Sequence, residues 1–150
     1  MTRPARAFHF LLRRTVVSAI FGAVLSPAFS PALAQALPPI STDRFINDSL
    51  RAAAIADSIR RACPSISARF IVAYRKLREL EAYARAKGYS EAEAKAFVRS
   101  GRDRARLLRE ARAYQQAHGV VEGRKETYCA LGRAEIARGS LIGQLLWSWK

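Results

Sequence analysis

The sequence predicts an all-α fold, a small disulfide-linked bundle of four to six short helices. Three observations carry that expectation. Apolar residues recur at helical spacing along most of the chain, most regularly at Ile66, Phe70, Ala73, Leu77, Leu80 and Ala84. Long alternating runs of β-branched residues, the mark of half-buried strands, are missing. Cys63 and Cys129 are the only cysteines, and the chain opens on a segment that reads as an export signal, so an oxidising compartment would bridge them.

Leu37-Pro38-Pro39-Ile40 reads as an extended lead-in, because each proline disfavours helical backbone in the residue before it. Ser41, Thr42 and Asp43 can cap a first helix from about Asp43 to Ala62, with Phe45, Ala52, Ala56, Ile59 and Cys63 on one face. Ile46 and Leu50 lie off that stripe, so this helix is expected to be covered on more than one side. Pro64 ends it. Ser65 or Ser67 caps a second helix whose stripe puts Leu77 at the centre of the core, opposite Arg75, Arg78, Glu79 and Arg85. Gly88 stops it. Ser90-Glu91-Ala92-Glu93 is a capping box opening a third helix, with Ala96 and Phe97 turned inward.

Ser100-Gly101 interrupts the third helix and Asp103 can restart it. Leu107, Leu108, Ala111, Tyr114 and His118 form the next stripe, closed by Gly119. A loop from Val120 to Lys125 leads into a last helical stretch from about Glu126 towards Trp149. Gly132 and Gly139 weaken that stretch, so it is either two short helices bent near Arg138-Gly139 or one kinked helix.

Residues 1–36 read as a signal peptide that is cleaved. Arg3, Arg6, Arg13 and Arg14 form a basic start, Thr15 to Leu25 an apolar run, and Pro27 and Pro31 break it. Ala34-Gln35-Ala36 supplies the small-x-small pattern for a cut between Ala36 and Leu37. The apolar run of 11 residues falls short of the ~20 that span a bilayer. Arg13-Arg14 also raises twin-arginine export, although the flanking residues fit general secretion better. Leu37–Lys150 is then expected to be one helical domain in the periplasm.

The chain has 26 basic and 12 acidic residues; losing the four signal arginines takes the net charge from +14 to +10. Such a charge attracts polyanions and anionic lipid headgroups. Export argues against nucleic acid, which leaves an envelope protein or complex, an envelope polymer or an anionic membrane surface as partner. An Arg-rich, Ala-rich composition yields the same charge without any function. Arg99, Arg102, Arg106 and Arg109 are the candidate anion contact, although Arg106 and Glu110, four apart, can equally pair. At the C-terminus Leu146, Trp147 and Trp149 are either a docking tip or part of a terminal helix laid over the core. Gly139-x-x-x-Gly143 would let that helix approach a neighbour closely.

Signals for catalysis are poor. A Gly-rich phosphate loop, C-x-x-C-H, H-E-x-x-H and G-x-S-x-G are all missing from the sequence, and neither cofactor nor metal is expected. His118, the one histidine of the exported part, falls at a helix end where a partly protonated imidazole is favoured for structural reasons. The pairs Glu79/Glu81 and Glu91/Glu93 could serve a hydrolase, but residues two apart on a helix point in different directions.

Leu37-Pro38-Pro39, Cys63-Pro64-Ser65-Ile66-Ser67-Ala68-Arg69, Gly88-Tyr89-Ser90-Glu91-Ala92-Glu93, Glu122-Gly123, Glu126-Thr127 and Cys129-Ala130-Leu131-Gly132 together resemble an alphaproteobacterial family of small exported proteins, a domain of unknown function. The resemblance covers most of Leu37–Lys150 and implies no activity, cofactor or catalytic residue. It hints at an accessory role beside an inner-membrane respiratory complex. The expected function is therefore non-catalytic binding to an envelope partner, then peripheral binding of anionic lipid or polymer, and third an envelope hydrolase.

Overall fold

The Asp43 carboxylate accepts a hydrogen bond from the Ile46 N–H at 3.0 Å, and that cap starts helix α1, Arg44–Ala62. The computed structural model describes residues 37–149; the expected cleavage residues Ala34 and Ala36 lie outside them. Ile46, Asn47, Ala52, Ile55, Ala56 and Ile59 are all buried. They take up so much of the helix circumference that α1 is the axle of the fold, with neighbours on several sides. Phe45 stands half-exposed rather than on the buried face, while Leu50, off the expected stripe, is partly covered.

The segment after Pro64 departs from expectation. Ile66–Ala68 is a strand, β1, and it pairs antiparallel with β2, Leu146–Ser148, in the register Ile66↔Ser148, Ser67↔Trp147, Ala68↔Leu146. Helix α2 therefore begins only at Phe70 and runs to Lys87, with Arg69 rather than Ser65 or Ser67 at its N-cap. Backbone hydrogen bonds extend the ribbon at both ends, from Arg69 N–H to Leu145 O at 2.8 Å and from Trp149 N–H to Ser65 O at 3.3 Å. A three-residue strand shows no alternation long enough to register in a sequence window, and its partner lies some eighty residues away.

This start sets the rotation of α2. Ala84 is buried and Ala73 and Leu80 are partly covered, but Phe70 and Leu77, on the same expected stripe, face solvent. Leu77 is 49% exposed and is not a core residue. Leu77→Ala should accordingly cost less than about 1 kcal/mol. Ile59→Val, which removes one methylene from a side chain with 0% exposure, should cost about 1 kcal/mol. Urea unfolding of the two variants compares them, and a clearly larger loss for Leu77→Ala would mean that the Leu77 face of α2 is covered in solution.

Helix α3, Glu91–Arg99, opens with the expected capping box: Glu93 N–H donates to Ser90 Oγ at 3.2 Å, and Ser90 N–H donates to the Glu93 carboxylate at 2.8 Å. Phe97 is buried and Ala96 is exposed. Helix α4, Gly101–Ala117, follows at once, because Ser100 ends α3 and caps α4 by accepting from Asp103 N–H at 3.1 Å. Asp103 is thus in the first turn rather than at the restart. Of the α4 stripe, Ala111 is buried, Leu107 and Tyr114 are partly covered, and Leu108 and His118 are exposed.

Helix α5, Lys125–Arg138, stops at Gly139, whose φ of 61° is left-handed, and the short helix α6, Leu141–Gln144, precedes β2. The bend at Arg138-Gly139 is the first of the two sequence alternatives, but the chain ends in a strand rather than a helix. Close approach falls to Gly143 and Gly132. A Cβ at Gly143 would overlap the Glu135 carbonyl, and one at Gly132 would overlap Ile59 and Ile66. Cys63 and Cys129 are bonded, with Cα atoms 5.1 Å apart, tying the end of α1 to α5.

Candidate docking surface

The two arginine-bearing helices do not present one continuous basic face. Arg99 is the last residue of α3 and Arg102 lies just inside α4, across the Ser100 break. Arg102 and Arg109 are exposed. Arg106 serves the interior of the fold: it donates to Asn47 Oδ1 at 2.7 Å and Ser41 O at 3.4 Å, and pairs with Glu110 at 2.9 Å. Buried Asn47 in turn donates to Ser41 O at 3.0 Å and Asp43 O at 2.6 Å, so Arg106 pins α4 to the entrance of α1. It is a strut, not a free anion contact.

Leu146 is also corrected: at 2% exposure it belongs to the core. Its neighbour Leu145 is buried with it, while strand alternation turns the next residue, Trp147, to the other face. Trp147 on that face of β2 and Trp149 just past its end are 47% and 45% exposed, with ring centroids 4.9 Å apart. Leu37, the expected first residue after cleavage, is half-exposed and rests against Gly88, and the next carbonyl, Pro38 O, accepts from the Tyr89 hydroxyl at 3.1 Å.

A further apolar exposure, on α2, was not singled out from sequence. Phe70 (72% exposed), Ile71 (84%) and Tyr74 (65%) stand on the first turns of α2 with half-exposed Leu77. Phe70, Tyr74 and Leu77 are spaced i, i+4, i+7 and line one shoulder, with Ile71 beside them. The signal was there: Phe70-Ile71-Val72-Ala73-Tyr74 is apolar all the way round the helix, which one buried face cannot absorb. Trp147 pairs with Ser67, three residues before Phe70. Strand spacing and chain reach therefore put the Trp147 and Phe70 Cα atoms within about 15 Å of each other. Beside Leu77 a cavity of about 110 Å³ is lined by Phe45, Leu80, Leu141 and Leu145.

The chain segments that carry this surface are predominantly basic. Between Asp57 and Glu79 the sequence holds no acidic residue, and after Glu135 it holds none. Lys76 and Arg78 are bridged to Glu79 and Glu81 at 2.8 and 2.7 Å. Among the described residues Arg69 and Arg75, both exposed, have no such partner.

The carboxylates offer little for catalysis. Glu91 is paired with Lys95 at 2.5 Å, and Glu93 is consumed by the α3 cap; those hydrogen bonds hold both below the usual carboxylate range. Glu135, missed from sequence, is fully buried. It accepts from the Tyr114 hydroxyl at 2.7 Å, from the Ser140 hydroxyl and from Arg138. Burial on its own raises a carboxyl pKa, but these three donors outweigh it and hold Glu135 below the ordinary value, an anion rather than a proton donor. Burial, and then hydrogen bonding to that anion, push Tyr114 upward. His118 caps α4, its Nδ1 2.7 Å from Tyr114 O and its ring stacked on Tyr114. Among the described residues no three His, Cys, Asp or Glu side chains gather as metal ligands, and no helix is long and apolar enough to cross a membrane.

No curated protein and no solved structure matches the chain. Residues 38–147 match the family of unknown function DUF5333, and the chain belongs to that family.

Proposed function

We propose that this chain is a non-catalytic exported binding protein, which in the periplasm docks on another component of the cell envelope through the α2–β2 surface. One observation carries the reading: four large apolar side chains on one helix shoulder, and two tryptophans at the strand paired just before that helix, lie in solvent on two acid-free stretches of the chain. Monomeric proteins rarely leave such a concentration uncovered without a use for it. The Cys63–Cys129 bond supports an oxidising compartment. Placement beside an inner-membrane respiratory complex is the form that the resemblance read from sequence implies. The locked state of Glu135 and the helix-capping role of Glu93 favour binding over hydrolysis.

The test is a photoreactive residue placed at Ile71 in the living cell, against the same residue at Arg112, exposed on α4. Adducts of any kind, lipid or protein, should form several-fold more often at position 71. Equal labelling at both positions would overturn the docking reading.

A further inference from the structure

We infer that the occupant of the α2–β2 surface is the headgroup region of an anionic lipid leaflet, entered shallowly by the aromatic side chains. This rests on the docking reading above and names its partner. The residue types come first. Trp147, Trp149 and Tyr74 have an apolar body and a polar tip, and Phe70 and Ile71 are wholly apolar, the mixture that settles at a membrane–water boundary. At 72% and 84% exposure Phe70 and Ile71 stand out from the surface. Fluid lipid conforms to such protrusions, whereas a folded partner would need matching pockets.

Extent points the same way. A stable protein–protein interface engages about 20–30 residues a side, but here the apolar exposure is confined to the first two turns of α2 and the outer face of a three-residue strand. Interfacial insertion needs only a few anchors.

Charge supplies the sign. Exposed Arg69 and Arg75 carry no ion pair among the described residues. The nearest acids along α2, Glu79 and Glu81, are each bridged to a basic neighbour and mark the edge of the surface. Asp48, on the α1 side near Phe45, is bridged to Arg44 and Arg51 at 3.6 and 2.7 Å. A negative leaflet satisfies two separated cations at once, each favoured about fivefold near the surface. A protein partner would need an acid placed opposite each.

The experiment uses the exported protein with vesicles of phosphatidylcholine alone or mixed with phosphatidylglycerol, at 0.01 and 0.15 M salt, where screening lengths are about 30 and 8 Å. Trp147 and Trp149 are the only tryptophans, so their emission reports on β2 directly. The expected result is a blue shift with anionic vesicles, weaker but retained at the higher salt. Phe70→Ser with Ile71→Ser should weaken binding about tenfold or more at both salts. Arg69→Gln with Arg75→Gln should weaken it about 25-fold at low salt and much less at high salt.

Arg102→Gln with Arg109→Gln, on α4, should weaken binding much less, and least at the higher salt; an equal loss there would reduce the contact to net charge and overturn the proposal. All these positions are exposed, and helical circular dichroism confirms that each variant is folded. Absence of a blue shift at both salts also overturns it. If in that case the residue at position 71 still labels selectively, through an adduct to a different protein, the docking reading survives and only the lipid is wrong; adducts to a second copy of this chain alone overturn both. Equal labelling at positions 71 and 112 removes both.

Discussion

Glu135→Ala is expected to lower the unfolding free energy by about 3 kcal/mol or more, among the largest losses from any single side chain here. The carboxylate has 0% exposure and joins three elements: α5 carries it, Tyr114 reaches it from α4, and Ser140 reaches it from the turn into α6. Ser140 Oγ also accepts from Gly143 N–H at 3.0 Å, so the carboxylate fixes the hydroxyl that caps α6. Truncation leaves the Tyr114 and Ser140 hydroxyls short of a partner and opens a void beneath them. Glu135→Gln keeps the shape but removes the charge, and about half the loss is expected.

The pH dependence follows from the direction of the shift. The folded carboxyl titrates below 4.5. Its contribution is therefore fully present above the unfolded value, near pH 4.5, and is lost as pH falls through the lower folded value. Urea unfolding at pH 7 and pH 3 should show a smaller acid loss in Glu135→Gln than in the natural chain. An equal loss would mean that other carboxylates govern acid unfolding.

Glu135 also shows where the sequence stops being legible. In the string Ala134-Glu135-Ile136-Ala137-Arg138 it looks like an ordinary i, i+3 partner of Arg138 on a solvated face. Only the reversal at Gly139 and the close pass of Gly143 over its carbonyl turn that face inward, and those are tertiary events. Local signals fared better. Asp43, Pro64, Gly88, the Ser90 box, Ser100 and Gly139 bound their helices close to where expected, because a cap or stop is decided within one turn.

The ribbon was illegible for the opposite reason. Ser65 and Ser67 are good capping residues, and nothing near them reveals that β2 will draw Ile66–Ala68 into a strand. That one pairing shifts the start of α2, and with it the outward turn of Phe70 and Leu77. The arginines of α4 illustrate the same limit: Arg106 shares its helix side with Arg102 and Arg109, yet buried Asn47, fifty-nine positions earlier, claims it.

Replacing both cysteines by alanine is expected to cost about 2–4 kcal/mol, near the limit for closing a loop of this length. The bond spans 66 positions and encloses α2, α3 and α4, so its loss frees most of the chain in the unfolded state. Alanine is the better test residue because Cys63 has 0% exposure, and serine there would add the cost of a buried hydroxyl. The geometry also makes the effect local. Cys63 caps the end of α1, three residues before β1, and Cys129 lies in the second turn of α5. The bond therefore anchors the base of the ribbon that displays Trp147 and Trp149. Reduced natural protein and the double-alanine variant should match in unfolding free energy from urea titration to within about 1 kcal/mol, since each lacks the bond and differs only in small side-chain volume. Both should keep native helical circular dichroism at low urea while losing part of their vesicle-induced tryptophan shift. Unchanged stability on reduction, with two thiols titrated, would show that core packing alone holds α1 to α5.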